Sequence, residues 1–169
     1  MPESIREELA RVQAQLRPAF PSVRWVAPEG IHLTLKFLVD TPADRIEAIS
    51  RALEQAAAGV SPHQVEVGGI GGFPSHAAPR VLWVGVRAPE ELARLQGRVE
   101  EASAALGFPR EDRAVSPHLT LSRAREGMTS GERRRLGEAA QALRLESLGA
   151  FLVDRVSLMQ STFGLTATP

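Results

Sequence analysis

Ile31-His32-Leu33-Thr34-Leu35-Lys36-Phe37-Leu38-Val39 and Pro117-His118-Leu119-Thr120-Leu121-Ser122-Arg123 share the tetrapeptide His-Leu-Thr-Leu. The two histidines stand 86 positions apart in a chain of 169 residues. Alternation with period two is the signature of a strand, so strands are predicted over Ile31–Val39 and from His118 to about Arg123. Residues i and i+2 of a strand share a face. His32 and Thr34 therefore point one way while Leu33 and Leu35 point the other, and His118 and Thr120 oppose Leu119 and Leu121 likewise. Each strand offers an imidazole and a hydroxyl to a cleft and two leucines to a core. Lys36 falls on the face of His32 and Thr34 if the strand is regular. Arg123 points away from His118 if period two holds, and reaches back toward it if the strand twists or ends there. Arg125 follows.

Outward from these segments the pattern mixes helices and strands. Ile5, Leu9, Val12 and Leu16 recur at helical spacing, and Arg17-Pro18 ends that helix. Val23 to Val26 reads as a short strand and Pro28-Glu29-Gly30 as a turn. A helix is predicted from Pro42 to about Ala57 with Thr41 as N-cap. Gln64 to Val67 reads as a strand, and Gly68 to Pro79, rich in Gly, Pro and Ser, as a loop. A strand over Arg80–Arg87 and a helix over Glu90–Leu106 follow. A last helix runs to about Leu143 from Ser130 as N-cap, with Arg133 where a capping box would carry Glu. Leu148 to Phe163 reads as strands. Strands and helices do not alternate cleanly, so the predicted class is α+β. Each half holds a helix, a loop ending in Pro or Gly and a strand with the tetrapeptide, which suggests a duplication about a pseudo-two-fold axis.

Composition narrows the chemistry. A hydrophobic fraction of 43% supports a core. The absence of Cys removes disulfides, thiolate metal sites and a cysteine nucleophile. The start, Pro2-Glu3-Ser4, shows no signal peptide, no apolar run spans a membrane, and a cytoplasmic location is expected. A formal net charge of zero means that nucleic-acid contact must be local. Lys36 is the only Lys; the other basic side chains are Arg, which suits bidentate phosphate contacts.

Paired imidazoles and hydroxyls suit phosphate-ester chemistry. An imidazole gives or takes a proton near neutral pH, and a Thr hydroxyl donates to a phosphoryl oxygen. A metal site is the alternative, but catalytic zinc usually takes three protein ligands, and Asp40 and Asp112 would serve as a third only if folding brings them close. Ser116 and Ser122 lack the context of a serine nucleophile. His63 and His76, beside turns, read as surface residues. Trp25, Phe37 and Trp83 read as core or cleft wall, with base stacking at Trp25 an alternative.

The chain resembles the bacterial and archaeal RNA 2',3'-cyclic phosphodiesterase family, also described as 2'-5' RNA ligases, of the two-histidine phosphoesterase superfamily. The resemblance rests on Arg24-Trp25-Val26, both His-Leu-Thr-Leu segments with their flanks, Gly72-Phe73-Pro74 and Pro79-Arg80-Val81-Leu82-Trp83. It implies one bilobal catalytic domain over residues 1–169, with antiparallel sheets flanked by helices around a central cleft. It implies His32 and His118 as catalytic residues, His118 as base and His32 as acid, with Thr34, Thr120 and Arg123 on the phosphate. Trp25 and Lys36 are candidate substrate contacts, with a plain solvated face as the equal alternative at Lys36. No metal or other cofactor, no membrane and no obligate protein partner is implied. The implied partners are RNA or nucleotides with 2',3'-cyclic phosphate ends, opened to 2'-phosphates, with reversible 2'-5' ligation besides. Relative to the family, Met1-Pro2 stands where an apolar first strand would end, and the segment after Ser161-Thr162-Phe163 is short of a final strand. The alternative is a non-catalytic module that binds RNA ends or nucleotide phosphates.

Overall fold

The computed structural model describes residues 1–39, 41–87, 89–111 and 116–160. Among them, strands β1 (Val23–Trp25), β2 (His63–Phe73), β3 (Val81–Arg87), β4 (His118–Ala124) and β5 (Gly149–Val153) form one antiparallel sheet. The strand order is β1-β4-β3-β2-β5. Helices α1 (Glu3–Leu16), α2 (Ile46–Ala57), α3 (Glu90–Ala105) and α4 (Ser130–Ala142) complete an α+β architecture, as the mixed pattern predicts.

Central β3 defines the layering. Leu82, Val84 and Val86 are buried, while Val81, Trp83 and Gly85 are only partly so. The buried set joins Leu119 and Leu121 of β4, Ile5, Leu9, Val12 and Leu16 of α1, Leu92 and Leu95 of α3, and Leu136 of α4 in one core. Each such side chain contributes about 1.5–3 kcal/mol by leaving water. The helices thus cover one sheet face, and the face carrying Trp83 is left for the site.

Several expected boundaries move. The segment read as a loop from Gly68 is strand as far as Phe73. Its glycines serve close approach rather than turning. A Cβ on Gly71 would lie 2.2 Å from the Trp83 ring, and one on Gly68 2.2 Å from the Glu146 carbonyl oxygen. Gly69, at φ +73°, sits where the β2–β3 register shifts between Val67 and Ile70. The helix expected from Pro42 opens as a 3-10 turn, Ala43–Arg45, and the Thr41 hydroxyl donates to the Val39 carbonyl instead of capping it. Thr129, not Ser130, caps α4. Its hydroxyl accepts from the Glu132 N–H, whose carboxylate accepts from the Thr129 N–H, so the capping box is complete. The strand expected from Leu148 covers Gly149–Val153; residues 161–163 of that expectation lie outside the described ones.

Gly71→Ala should lower the urea midpoint by the equivalent of about 1–3 kcal/mol, because the indole over Gly71 leaves no room for a methyl group. Gly97→Ala, within α3 and with nothing near its added Cβ, should raise it by about 1 kcal/mol. Equal shifts of one sign would remove the packing account.

Candidate active site

β4 is bordered by β3 on one side and by two separate pieces of chain on the other. At its far end β1 pairs Val23 with Ala124 and Trp25 with Ser122. Nearer its start, Leu33 forms an isolated antiparallel bridge with Leu119. Eight positions separate Trp25 from Leu33 while three separate Ser122 from Leu119, and the surplus is looped out around the 3-10 turn Pro28–Gly30. Gln13 of α1 closes the junction. Its buried amide donates to the carbonyl oxygens of Val26 (2.7 Å) and Leu121 (2.9 Å). The signal for it was present: Gln13 is a polar residue four positions after Leu9, inside the apolar stripe.

The bridge sets the two motifs against each other. One step either way along an antiparallel pair places His32 opposite Thr120 and Thr34 opposite His118. Leu33 and Leu119 face the core, so the two histidines and two threonines of the motifs share the opposite face. Each imidazole lies across from the other motif's hydroxyl, with the leucine pair at the local two-fold centre.

Ile31–Val39 is not the continuous strand that its alternation predicts. Among the described residues Leu33 is its sole ladder contact. Beyond it the Gln96 amide donates to the Leu35 carbonyl (3.3 Å), and the chain turns toward α3. Lys36 follows this turn. Its ammonium is buried, donating to Glu100 (2.9 Å) and to the Pro109 carbonyl (2.6 Å), with 4% of the side chain exposed. Both of these partners lie outside the two motifs. Phe37, expected in core or cleft wall, is 64% exposed.

A bulge decides where Arg123 points. β3 and β4 pair Gly85 with His118, Val84 with Leu119 and Trp83 with Thr120, then Leu82 with Ser122 and Val81 with Arg123. Leu121 is passed over, so β4 changes phase by one residue. Leu121 and Ser122 are both buried, and Arg123 joins His118 and Thr120 on the site face beside Val81 and Trp83. Strict period two would have turned Arg123 away. The same register pairs Trp25 with buried Ser122, on the core side, where its ring packs against the core rather than stacking in the cleft.

Both imidazoles are held alike. Nδ1 of His32 lies 2.8 Å from the Gly30 carbonyl oxygen, and Nδ1 of His118 lies 2.7 Å from that of Ser116. A carbonyl only accepts, so Nδ1 carries hydrogen in each ring and Nε2 remains for proton transfer. His63, expected at the surface, is buried; it makes the same contact to Ser61, but its Nε2 is enclosed without a partner. Local turn geometry alone therefore does not make the site. Around His118 stands an aromatic wall of Phe73 and of Trp83, the latter read from the sequence as core or cleft wall. The His118 ring centroid is 5.1 Å from that of Phe73 and 5.8 Å from that of Trp83, and exposed His76 meets the Trp83 edge at 5.7 Å. Among the described residues no three His, Asp or Glu side chains converge as metal ligands; Asp40 and Asp112 lie outside them. No described helix is long and apolar enough to cross a membrane.

The family model described as LigT like phosphoesterase matches the chain twice, over residues 1–83 and 84–164, one tetrapeptide in each match. A relative from Methanothermobacter thermautotrophicus, named RNA 2',3'-cyclic phosphodiesterase, is 33% identical over 94% of this chain and 84% of its own. One of the same name from Aquifex aeolicus is 31% identical over 95% and 84%. Among solved structures, E. coli LigT complexed with 3'-AMP superposes with a TM-score of 0.63 at 29% identity, over 76% of this chain and 72% of that one. A protein from Thermus thermophilus superposes with a TM-score of 0.67 at 28% identity, over 76% and 73%.

Burial pushes the Glu100 carboxyl up, but the Lys36 hydrogen bond, the Glu111 N–H and the charges of Lys36 and Arg110 hold it below its ordinary value of 4.5. A depressed carboxyl stabilises the fold above its unfolded pKa, and that contribution fades as pH falls through the lower folded value. Glu100→Gln, which strands the buried ammonium, should cost about 3 kcal/mol at pH 7 by urea unfolding. The gap to the parent protein should close on acidification below pH 4.5. A gap independent of pH would mean that the pair contributes shape, not charge.

Proposed function

This chain belongs to the LigT-like phosphoesterase family, and on that premise we propose that it hydrolyses RNA 2',3'-cyclic phosphate ends to 2'-phosphates. The carrying observation is the Leu33–Leu119 bridge, which sets one His and one Thr on each side of a common centre. The two matched halves are read as one bilobal catalytic domain. The absence of Cys supports a cytoplasmic setting.

Hydrolysis to a 2'-phosphate forms a bond from water oxygen to phosphorus and breaks the bond from phosphorus to O3'. Water attacks opposite O3', so its proton and the one O3' requires are exchanged on opposite sides. One imidazole cannot serve both sides, and two related by a local two-fold can. His118 takes the proton of water and His32 delivers one to O3', each through Nε2. Thr34 and Thr120 donate to the non-bridging oxygens, and Arg123 offsets the charge that builds on them. With a 5'-hydroxyl of RNA in place of water, the same displacement makes a 2',5'-linkage, and attack by the freed 3'-hydroxyl reverses it. No metal takes part, so turnover should persist in excess chelator.

His32→Ala and His118→Ala should each lower kcat/KM for a cyclic nucleotide by about 10²–10⁴. The parent profile against pH should be bell-shaped, since the base starts neutral and the acid protonated. An analogue with a nitrophenolate leaving group should rescue His32→Ala far more than His118→Ala. The opposite pattern would exchange the roles, turnover untouched by either change would remove both histidines from the reaction, and a parent protein that shows no turnover would leave only capture of RNA ends.

Arg123→Ala should weaken turnover about equally for all four cyclic nucleotides, because a phosphate contact carries no base information. A loss confined to one base would make Arg123 a base reader.

A further inference from the structure

We propose that the site continues along β4 as a track for the RNA strand behind the reacting end, with an upstream phosphate seated in an arginine-lined cavity where β4 finishes. This deepens the reading above, since it requires that the substrate be RNA with a 2',3'-cyclic phosphate terminus.

The cavity measures about 210 Å³ and is lined by Arg80, Arg125 and Arg133, with Glu126 as its one acidic side chain. It is held by backbone: the Ala124 N–H donates to the Arg80 carbonyl (2.7 Å) and the Arg125 N–H to that of Ser22 (3.2 Å). Arg133 is further fixed by donation to the Met128 carbonyl (2.7 Å). Seven residues of strand separate His118 from Arg125, a span of about 20 Å. A group at the histidines cannot fill the cavity, whereas a later phosphate of an extended strand can. The reacting terminus is a 3' end, so that phosphate lies on its 5' side.

Between the two places Arg24 of β1 stands directly opposite Arg123, and both are exposed. Like charges across a strand pair repel, and an anion laid over them reverses the sign. Among the described residues the ion pairs engage Arg6, Arg11, Arg51, Arg87, Arg94 and Arg155, together with Lys36. The arginines of the track are in none of them, and neither are Arg17, Arg98, Arg134 and Arg135; the track is set apart by position, its arginines standing at and around the end of β4. In a chain of zero formal net charge, Arg123 on β4, Arg24 beside it and the three arginines around its end make a local path for a polyanion.

The test compares the parent protein with Arg80→Ala/Arg125→Ala, using a fluorescent tetraribonucleotide bearing a 3'-phosphate and a 3'-mononucleotide. The double variant should bind the tetranucleotide on the order of tenfold more weakly. Its log–log dependence on salt should flatten by about 0.7 for the lost phosphate contact. Mononucleotide binding and cyclic mononucleotide turnover should not change, which also shows that the variant is folded. Arg80→Lys/Arg125→Lys should restore the salt slope. Equal weakening of both ligands, or no change in either, would overturn the track. So would loss of inorganic phosphate binding with the tetranucleotide unaffected, which would mark a free-anion pocket. A parent protein that shows the tetranucleotide effect but never opens a cyclic phosphate would overturn the phosphodiesterase reading alone.

Discussion

The pairing of Leu33 with Leu119 is the constraint on which the site depends. It buries apolar groups of both motifs on one face and thereby forces both imidazoles and both hydroxyls onto the other. A strand face alternates with period two, so the core contact and the arrangement of the four polar side chains are two sides of one geometric fact. A slip of one residue at this bridge would send the leucines into the cleft and the histidines into the core.

Because one bridge holds the first motif, neighbouring groups carry much of its placement. Gln13 satisfies Val26 and Leu121 where the chain leaves the sheet. Lys36, Gln96 and Glu100 take over where it leaves again. The motif therefore sits between two polar anchors, both supplied by helices that cover the core face. The second motif is held differently, inside a ladder with β3 on its full length and with Phe73 and Trp83 against its imidazole. The glycine at position 71 is part of that support, since the indole that backs His118 lies over it.

Charge is organised locally as well. Within a net charge of zero, Arg11, Arg51 and Arg94 are matched by carboxylates one helical turn away, while Arg24, Arg123 and Arg125 are in none of the ion pairs among the described residues. The bulge at Leu121 contributes to this by bringing Arg123 to the face of His118 and Thr120.

By itself the sequence determined the α+β class, the apolar stripe of α1, the two repeated motifs, and the sharing of a face by His and Thr within each. Those follow from periodicity and composition, which are local. It misread Gly68–Phe73 as loop, because glycine chosen for close approach and glycine chosen for turning have the same letter. It could not locate the buried partner of Lys36, which lies 64 positions away. The opposition of His32 to Thr120 and the phase of Arg123 were decided only by tertiary structure. Both depend on register between segments far apart in the chain, and register is set by which side chains pack across the pair rather than by any residue read alone.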